Sequence, residues 1–259
     1  MENYRGIVFF DLDNTLLNVH HGVDEDVLLA IQTLKRRHIL PVIATGRSAG
    51  IMTDILTLTG INSIVALNGQ YVALNGHKVY AQSVPKQLLQ RLIAYSDAHG
   101  IALSLYDAYD EWATGINAAM KAGYQILHLP LPTIDRERYE KNPVYMIIAL
   151  TDDLNEDAIL KAEFPEFDFY RNANFAIDMV LKGISKQTGI AQALKAIGQA
   201  NVPTYAFGDG PNDIALMQAV DHGVAMANGV DATKEAAEFV TTDFRDHGVV
   251  NGLKHFNLI

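Results

Sequence analysis

Three short polar clusters, far apart in the chain, each follow directly on a largely apolar run. Ile7-Val8-Phe9-Phe10 leads into Asp11-Leu12-Asp13-Asn14-Thr15, Pro41-Val42-Ile43-Ala44 into Thr45-Gly46-Arg47, and Thr204-Tyr205-Ala206-Phe207 into Gly208-Asp209-Gly210-Pro211-Asn212-Asp213. Asp11 and Asp13 are two residues apart, so they face one side if strand geometry persists. Should the clusters meet, Asp11, Asp13, Asp209 and Asp213 converge, and that many like charges need a cation among them. Magnesium suits such a set: it is hard, takes oxygen ligands, and is held by one or two carboxylates together with a substrate phosphate. With no cysteine and no HExxH spacing among nine histidines, zinc is the weaker choice.

The groups that a phosphate needs are present as well. Thr45 offers a hydroxyl, and the amides after it are expected to open a helix, which favours an anion. Lys186, at the start of another expected helix, supplies a point charge. A carboxylate can attack a phosphate held there and form an acyl phosphate, while a second one protonates the leaving alcohol and later activates water.

The elements that must position these clusters alternate in type. Apolar runs at 7–10, 41–44 and 204–207 read as strands buried on both faces. Helical periodicity follows at 24–37, 48–58, 186–198, 211–219 and 231–237, with short strands near 222–226 and at Phe239-Val240. Asn68-Gly69 and Asn75-Gly76 separate strand-like pieces at 63–67, 70–74 and 77–81, as in hairpins. The stretch 83–183 changes character, with helices expected at 86–98, 116–123 and 153–162 and strands at 101–106, 144–150, 167–171 and 175–181. The fold expected is α/β: a Rossmann-like parallel-sheet core from residues 1–82 and 184–259, with an inserted α+β cap domain over 83–183. In such sheets ligands bind beyond the carboxyl ends of the strands, which is where all three clusters lie.

Bulk composition narrows the classes. The chain has 259 residues, 49% hydrophobic and 19% charged, a globular balance. A net charge of -10 argues against nucleic acid or an anionic membrane as the main partner. The absence of cysteine removes disulfides and thiolate chemistry and fits a reducing cytoplasm. The opening residues, Met1 to Arg5, do not read as a signal peptide, and no apolar run reaches the roughly 18 residues of a membrane span.

Asp11-Leu12-Asp13-Asn14-Thr15, Ala44-Thr45-Gly46-Arg47, Lys186 and Gly208-Asp209-Gly210-Pro211-Asn212-Asp213 resemble, in order, the four motifs of the haloacid dehalogenase superfamily. The long insert resembles the type IIB cap of its Cof-like phosphatases. The resemblance implies a Mg2+-dependent phosphatase acting on a small phosphorylated metabolite, such as a sugar phosphate or phosphorylated cofactor, through an aspartyl-phosphate. It implies Asp11 as nucleophile and metal ligand, and Asp13 as general acid/base with its carbonyl on the metal. Asp209 would be a further ligand and Asp213 a support of the metal site. Thr45, Gly46, Arg47, Lys186 and Asn212 would form the phosphate site, with Lys186 also offsetting the charge of Asp11. A cytoplasmic monomer or small homo-oligomer is expected. Ala227-Asn228-Gly229-Val230 departs from the family's usual Met-Gly-Asn-Ala order.

Two other functions share these parts. A phosphosugar mutase would pass the phosphoryl group to a second sugar. A phospho-acceptor signalling module also gathers acids, a Thr and a Lys at strand ends, but it needs neither a resident acid/base such as Asp13 nor so long an insert. Elsewhere, adjacent His20 and His21 read as a solvated loop, and Tyr106, Tyr109 and Trp112 as domain core before substrate pocket. Ser104 and Ser185 lack a His–acid partner pattern.

Overall fold

The computed structural model of the protein describes residues 3–198 and 201–259, so Met1 and Glu2 of the amino-terminal segment lie outside the described residues. The chain divides into two compact units, one of Met1–Tyr80 with Ser185–Ile259 and one of Ala81–Ile184.

The first unit begins with β1 (Gly6–Phe10), α1 (Glu25–Arg36), β2 (Ile39–Ala44), α2 (Thr53–Thr59), β3 (Ile64–Ala66), β4 (Tyr71–Leu74) and β5 (His77–Ala81). The second unit supplies α3 (Lys86–Ala98), β6 (Ala102–Tyr106), β7 (Glu111–Ala113), α4 (Ala118–Ile126), β8 (Thr133–Ile134), β9 (Met146–Leu150), α5 (Glu156–Glu163), β10 (Phe167–Ala173) and β11 (Ala176–Leu181). The chain then returns to the first unit through α6 (Lys186–Ile197), β12 (Thr204–Gly208), α7 (Ile214–Met217), β13 (His222–Ala225), α8 (Asp231–Ala236), β14 (Phe239–Val240) and α9 (Gly248–His255).

The first unit is built on an eight-stranded sheet in the order β14-β13-β12-β1-β2-β3-β4-β5. The strands from β14 through β3 run parallel, and β4 turns back antiparallel to β3. β1 lies at the centre and is buried along its whole length, which is why it reads as an unbroken apolar run. It pairs with β12 in the register Phe10↔Phe207, although the two strands are nearly two hundred residues apart. That register sets the acidic clusters side by side at the carboxyl ends of neighbouring strands. Ile7, Phe9, Val42 and Ala206 from the strands, with Ile190, Ala193 and Leu216 from α6 and α7, form the core on one face.

The second unit carries a six-stranded sheet in the order β10-β11-β9-β6-β7-β8, antiparallel except for β7 with β8. Strand alternation divides its faces. Leu103, Leu105, Ile147, Ala149 and Met179 pack with Leu92 of α3 and Leu160 of α5. Ala102, Ala113 and Leu150 pack instead with Met120 and Tyr124 of α4.

Several elements differ from expectation. α2 starts at Thr53, not near 48, so the amides after Thr45 belong to a turn-rich loop and no helix opens there. The helix expected at 211–219 is a short 3-10 turn over Pro211–Asp213 followed by the four residues of α7. β7, β8 and α9 were not legible. α9 contains Gly248 and Gly252, poor helix formers, but a Cβ on Gly252 would come within 2.4 Å of the Phe207 ring. Close docking on the sheet requires glycine there, and burial of Val249 and Leu253 outweighs the weak propensity. Trp112 and Tyr106 are buried while Tyr109 is exposed. His20 and His21 are both exposed. No helix of the described residues is long and apolar enough to cross a membrane.

Candidate active site

The chain leaves β1 at Asp11 and turns sharply over Leu12–Leu16, with Asn14 in the left-handed region at φ 56°. The Asp11 amide still donates to the Phe207 carbonyl at 2.9 Å, so its carboxylate is delivered beside the end of β12. Just beyond that end, Asp213 folds back under its own loop. Its Oδ2 accepts from the amides of Asp209 and Gly210, at 3.0 and 2.9 Å. A Cβ on Gly208 would sit 2.5 Å from the Asp213 side chain, so the loop can close this tightly only over a glycine.

Lys186 enters from α6. Its Nζ donates to Asp11 Oδ1 at 2.5 Å and to Asp213 Oδ1 at 2.6 Å, and the residue is 2% exposed. The start of α6 is fixed on both sides. Ser185 caps it, accepting from the Thr188 amide while its own amide donates to Thr188 Oγ1 at 2.9 Å. The turn Leu67–Gly69 presses against it from β3, and a Cβ on Gly69, at φ +96°, would lie 2.0 Å from the Ser185 carbonyl oxygen. Leu67 and Asn68 also have positive φ, 53° each. A bulky residue such as Leu67 rarely adopts that conformation, and such strain gathers where geometry is functional.

Asp11, Asp209 and Asp213 each offer a carboxylate oxygen within 4.8 Å of the others. Three carboxylates against the single ammonium of Lys186 leave two negative charges in a largely buried place. Burial pushes Asp11 up to about 7, with Lys186 pulling it back and Asp213 adding to the rise. Burial likewise pushes Asp209 up to about 6, against the hydrogen bond from Thr15. Burial alone would lower Lys186, but Asp11 and Asp213 overcome this and hold it above its ordinary value. Hard oxygen donors carrying an uncompensated double charge fit a divalent cation.

Asp13 behaves differently. Four acids were expected to converge, but β1 ends before Asp13, and its carboxylate pairs with Arg47. Arg47 Nε donates to Asp13 Oδ2 at 3.0 Å and Nη2 donates to Oδ1. Thr45 is buried on the loop after β2, its amide on the Val65 carbonyl at 2.9 Å and its Oγ1 accepting from the Arg47 amide at 3.2 Å. Gly46 lies against Asn68, whose side chain would be 3.2 Å from a Cβ placed there. Asn212 is exposed on the turn before Asp213. The structure therefore brings together Asp11, Asp209, Asp213 and Lys186, with Asp13 paired to Arg47 near enough for its charge to raise Asp11 and Asp209.

Sequence reasoning assigned no part to Thr15 or Asn228. Thr15 Oγ1 donates to Asp209 Oδ1 at 3.0 Å and ties the first acidic cluster to the last. Asn228 Nδ2 donates to the Asn14 carbonyl at 3.0 Å, and its Oδ1 accepts from the Phe244 amide at 3.1 Å, bracing the same turn. Both stand in stretches that the sequence had singled out, Asp11–Thr15 and Ala227–Val230, but nothing in their spacing told what they would bond.

The model of the haloacid dehalogenase-like hydrolase family matches residues 8–253. "Putative phosphatase YkrA" of Bacillus subtilis (strain 168) is 30% identical over 255 residues, covering 98% of this chain and 98% of that protein. The 5-amino-6-(5-phospho-D-ribitylamino)uracil phosphatase YcsE of the same organism is 22% identical, covering 97% and 96%. The crystal structure of a protein from Geobacillus kaustophilus HTA426 superposes with a TM-score of 0.93 at 32% identity, covering 98% of this chain and 99% of that one.

Proposed function

The chain belongs to the haloacid dehalogenase-like hydrolase family and is a phosphatase, and we propose that it hydrolyses a small phosphorylated metabolite by Mg2+-dependent transfer of the phosphoryl group to Asp11. An Asp11 oxygen attacks phosphorus, and the bond to the leaving oxygen breaks. That oxygen departs with the electron pair and takes a proton from Asp13. Water then attacks phosphorus and gives a proton to the Asp13 carboxylate, and the bond to Asp11 breaks to restore its carboxylate. The products are an alcohol and inorganic phosphate.

What carries this reading is the buried ammonium of Lys186 held between Asp11 and Asp213, with Asp209 alongside. Lys186 orients Asp11, favours its ionised form against the effect of burial, and offsets charge on the phosphoryl oxygens. Asp11, Asp209 and the main-chain carbonyl of Asp13 would hold Mg2+, which when bound neutralises phosphoryl charge as the bond breaks. Asp213, already accepting from Lys186 and two amides, supports that site. Thr45, Gly46 and Asn212 complete the phosphate site.

For the substrate class we propose a sugar phosphate or a phosphorylated cofactor or its precursor, in keeping with the relative whose name gives a phosphorylated ribitylaminouracil. Turnover of p-nitrophenyl phosphate with Mg2+ tests the reaction. Many cycles per enzyme, abolished in Asp11→Asn, are expected; a single stoichiometric phosphorylation would favour a phospho-acceptor module instead.

A further inference from the structure

We infer that Arg47 is a positioning residue for Asp13 in the water step and not a ligand of the phosphate. The inference rests on the proposed role of Asp13 and adds to it a residue that fixes that role in space. The guanidinium meets the Asp13 carboxylate side-on, Nε to Oδ2 at 3.0 Å and Nη2 to Oδ1. Both carboxylate oxygens therefore accept from one guanidinium, so the Asp13 side chain is held at two points.

Asp13 needs such a restraint. Its backbone is extended at φ -71° and ψ 127°, the next residue reverses into the left-handed region, and its side chain is 47% exposed. A short carboxylate in that setting rotates among several rotamers. A two-point guanidinium fork selects one of them and fixes the carboxylate plane, which a single charge at a distance would not do.

Arg47 is itself held. Its amide donates to Thr45 Oγ1 at 3.2 Å, and its carbonyl accepts from the Leu67 amide at 3.2 Å. Leu67 belongs to the strained turn that presses on the start of α6, so one loop sets both the Asp13 clamp and the seat of Lys186.

The test uses the whole enzyme with Mg2+ and p-nitrophenyl phosphate, whose leaving group needs no proton, so that the first half of the reaction does not depend on Asp13. Arg47→Ala is expected to lower kcat about 10- to 100-fold, part of the range for a positioned acid or base. KM should fall with it and kcat/KM should stay within about threefold, because the loss lies after phosphoryl transfer. Rapid mixing should then show a burst of about one nitrophenolate per enzyme before the slow steady state. Arg47→Lys keeps the charge without the fork and should give the same burst; full wild-type kcat in that variant would overturn the inference. So would a raised KM with a tenfold or greater loss of kcat/KM in Arg47→Ala, the behaviour of a phosphate ligand. Asp13→Asn separates the two levels. If it bursts and Arg47→Ala does not, the Arg47 assignment fails alone; if Asp13→Asn gives no burst, the base role of Asp13 fails and the inference falls with it. Wild-type melting temperatures in both Arg47 variants would show that the loss is not one of folding.

Discussion

Replacing Lys186 by methionine keeps the length of the side chain but removes the ammonium between Asp11 and Asp213. The Nζ stands 2.5 and 2.6 Å from their oxygens, and the side chain is only 1% exposed, so water does not reach the gap. Breaking a buried ion pair by removing one partner costs about 3–5 kcal/mol, because the remaining charge is left desolvated. Here two carboxylates lose their partner, but burial has already pushed Asp11 up to about 7, so protonation near neutral pH relieves part of the cost. The lower part of that range, about 3 kcal/mol, is the reasoned expectation for the metal-free protein. At about 2–4 °C per kcal/mol for a chain of this size, Lys186→Met should melt about 10 °C below wild type in EDTA at pH 7.5. Added Mg2+ should restore part of the deficit, since a cation can again lie among the acids, while turnover stays lost. Scanning calorimetry reads the first quantity and phosphate release the second. A melting temperature unchanged from wild type in EDTA would refute the claim that Lys186 is the counter-charge of a buried acidic cluster.

Other perturbations reach the same site from different sides. Gly69→Ala forces a Cβ within 2.0 Å of the Ser185 carbonyl at a φ of +96°, so it should cost about 1–3 kcal/mol and lower kcat by shifting Lys186; equal melting and equal kcat would show that the turn does not seat α6. Chelation should abolish phosphate release, and Mg2+ should restore it; undiminished turnover after exhaustive chelation would count against a metal-dependent reaction. The pH dependence of stability in EDTA has a definite sign. Asp11 and Asp209 rise from 3.8 in the unfolded chain to about 7 and about 6 in the fold, so the stability they lend is full below about 4 and is lost as pH rises through 6 and 7. Urea titrations of Asp11→Asn, read against wild type, should show this loss between about pH 4 and 7 much reduced.

Much of the core was legible because buried parallel strands leave a plain trace. β1, β2 and β12 are apolar at nearly every position, and the residues that follow them are polar for chemical reasons, so the strand ends and the candidate site appear in the same reading. Lys186 was legible only through its place in the motif order. A lysine opening a helix is more often solvated, and its burial depends on Asp11 and Asp213 arriving from two other elements. Asp13 stands outside the cluster of three carboxylates because the chain turns at Leu12–Leu16, yet its charge still raises Asp11 and Asp209. The helix expected after Thr45 failed for a related reason. The periodicity of residues 48–58 is real only from Thr53, and the residues just before it form turns. α9 and the two short strands β7 and β8 were missed because tertiary contact, such as Gly252 against Phe207, selects them over their own propensity.

Trapping the covalent intermediate addresses the whole account most directly. Enzyme caught during turnover of a phosphorylated sugar with Mg2+, quenched and reduced with borohydride, should carry homoserine in place of aspartate at position 11 when its peptides are sequenced by mass spectrometry. Reduction at a different carboxylate, or none at all while substrate is being consumed, would contradict Asp11 as the group that receives phosphate.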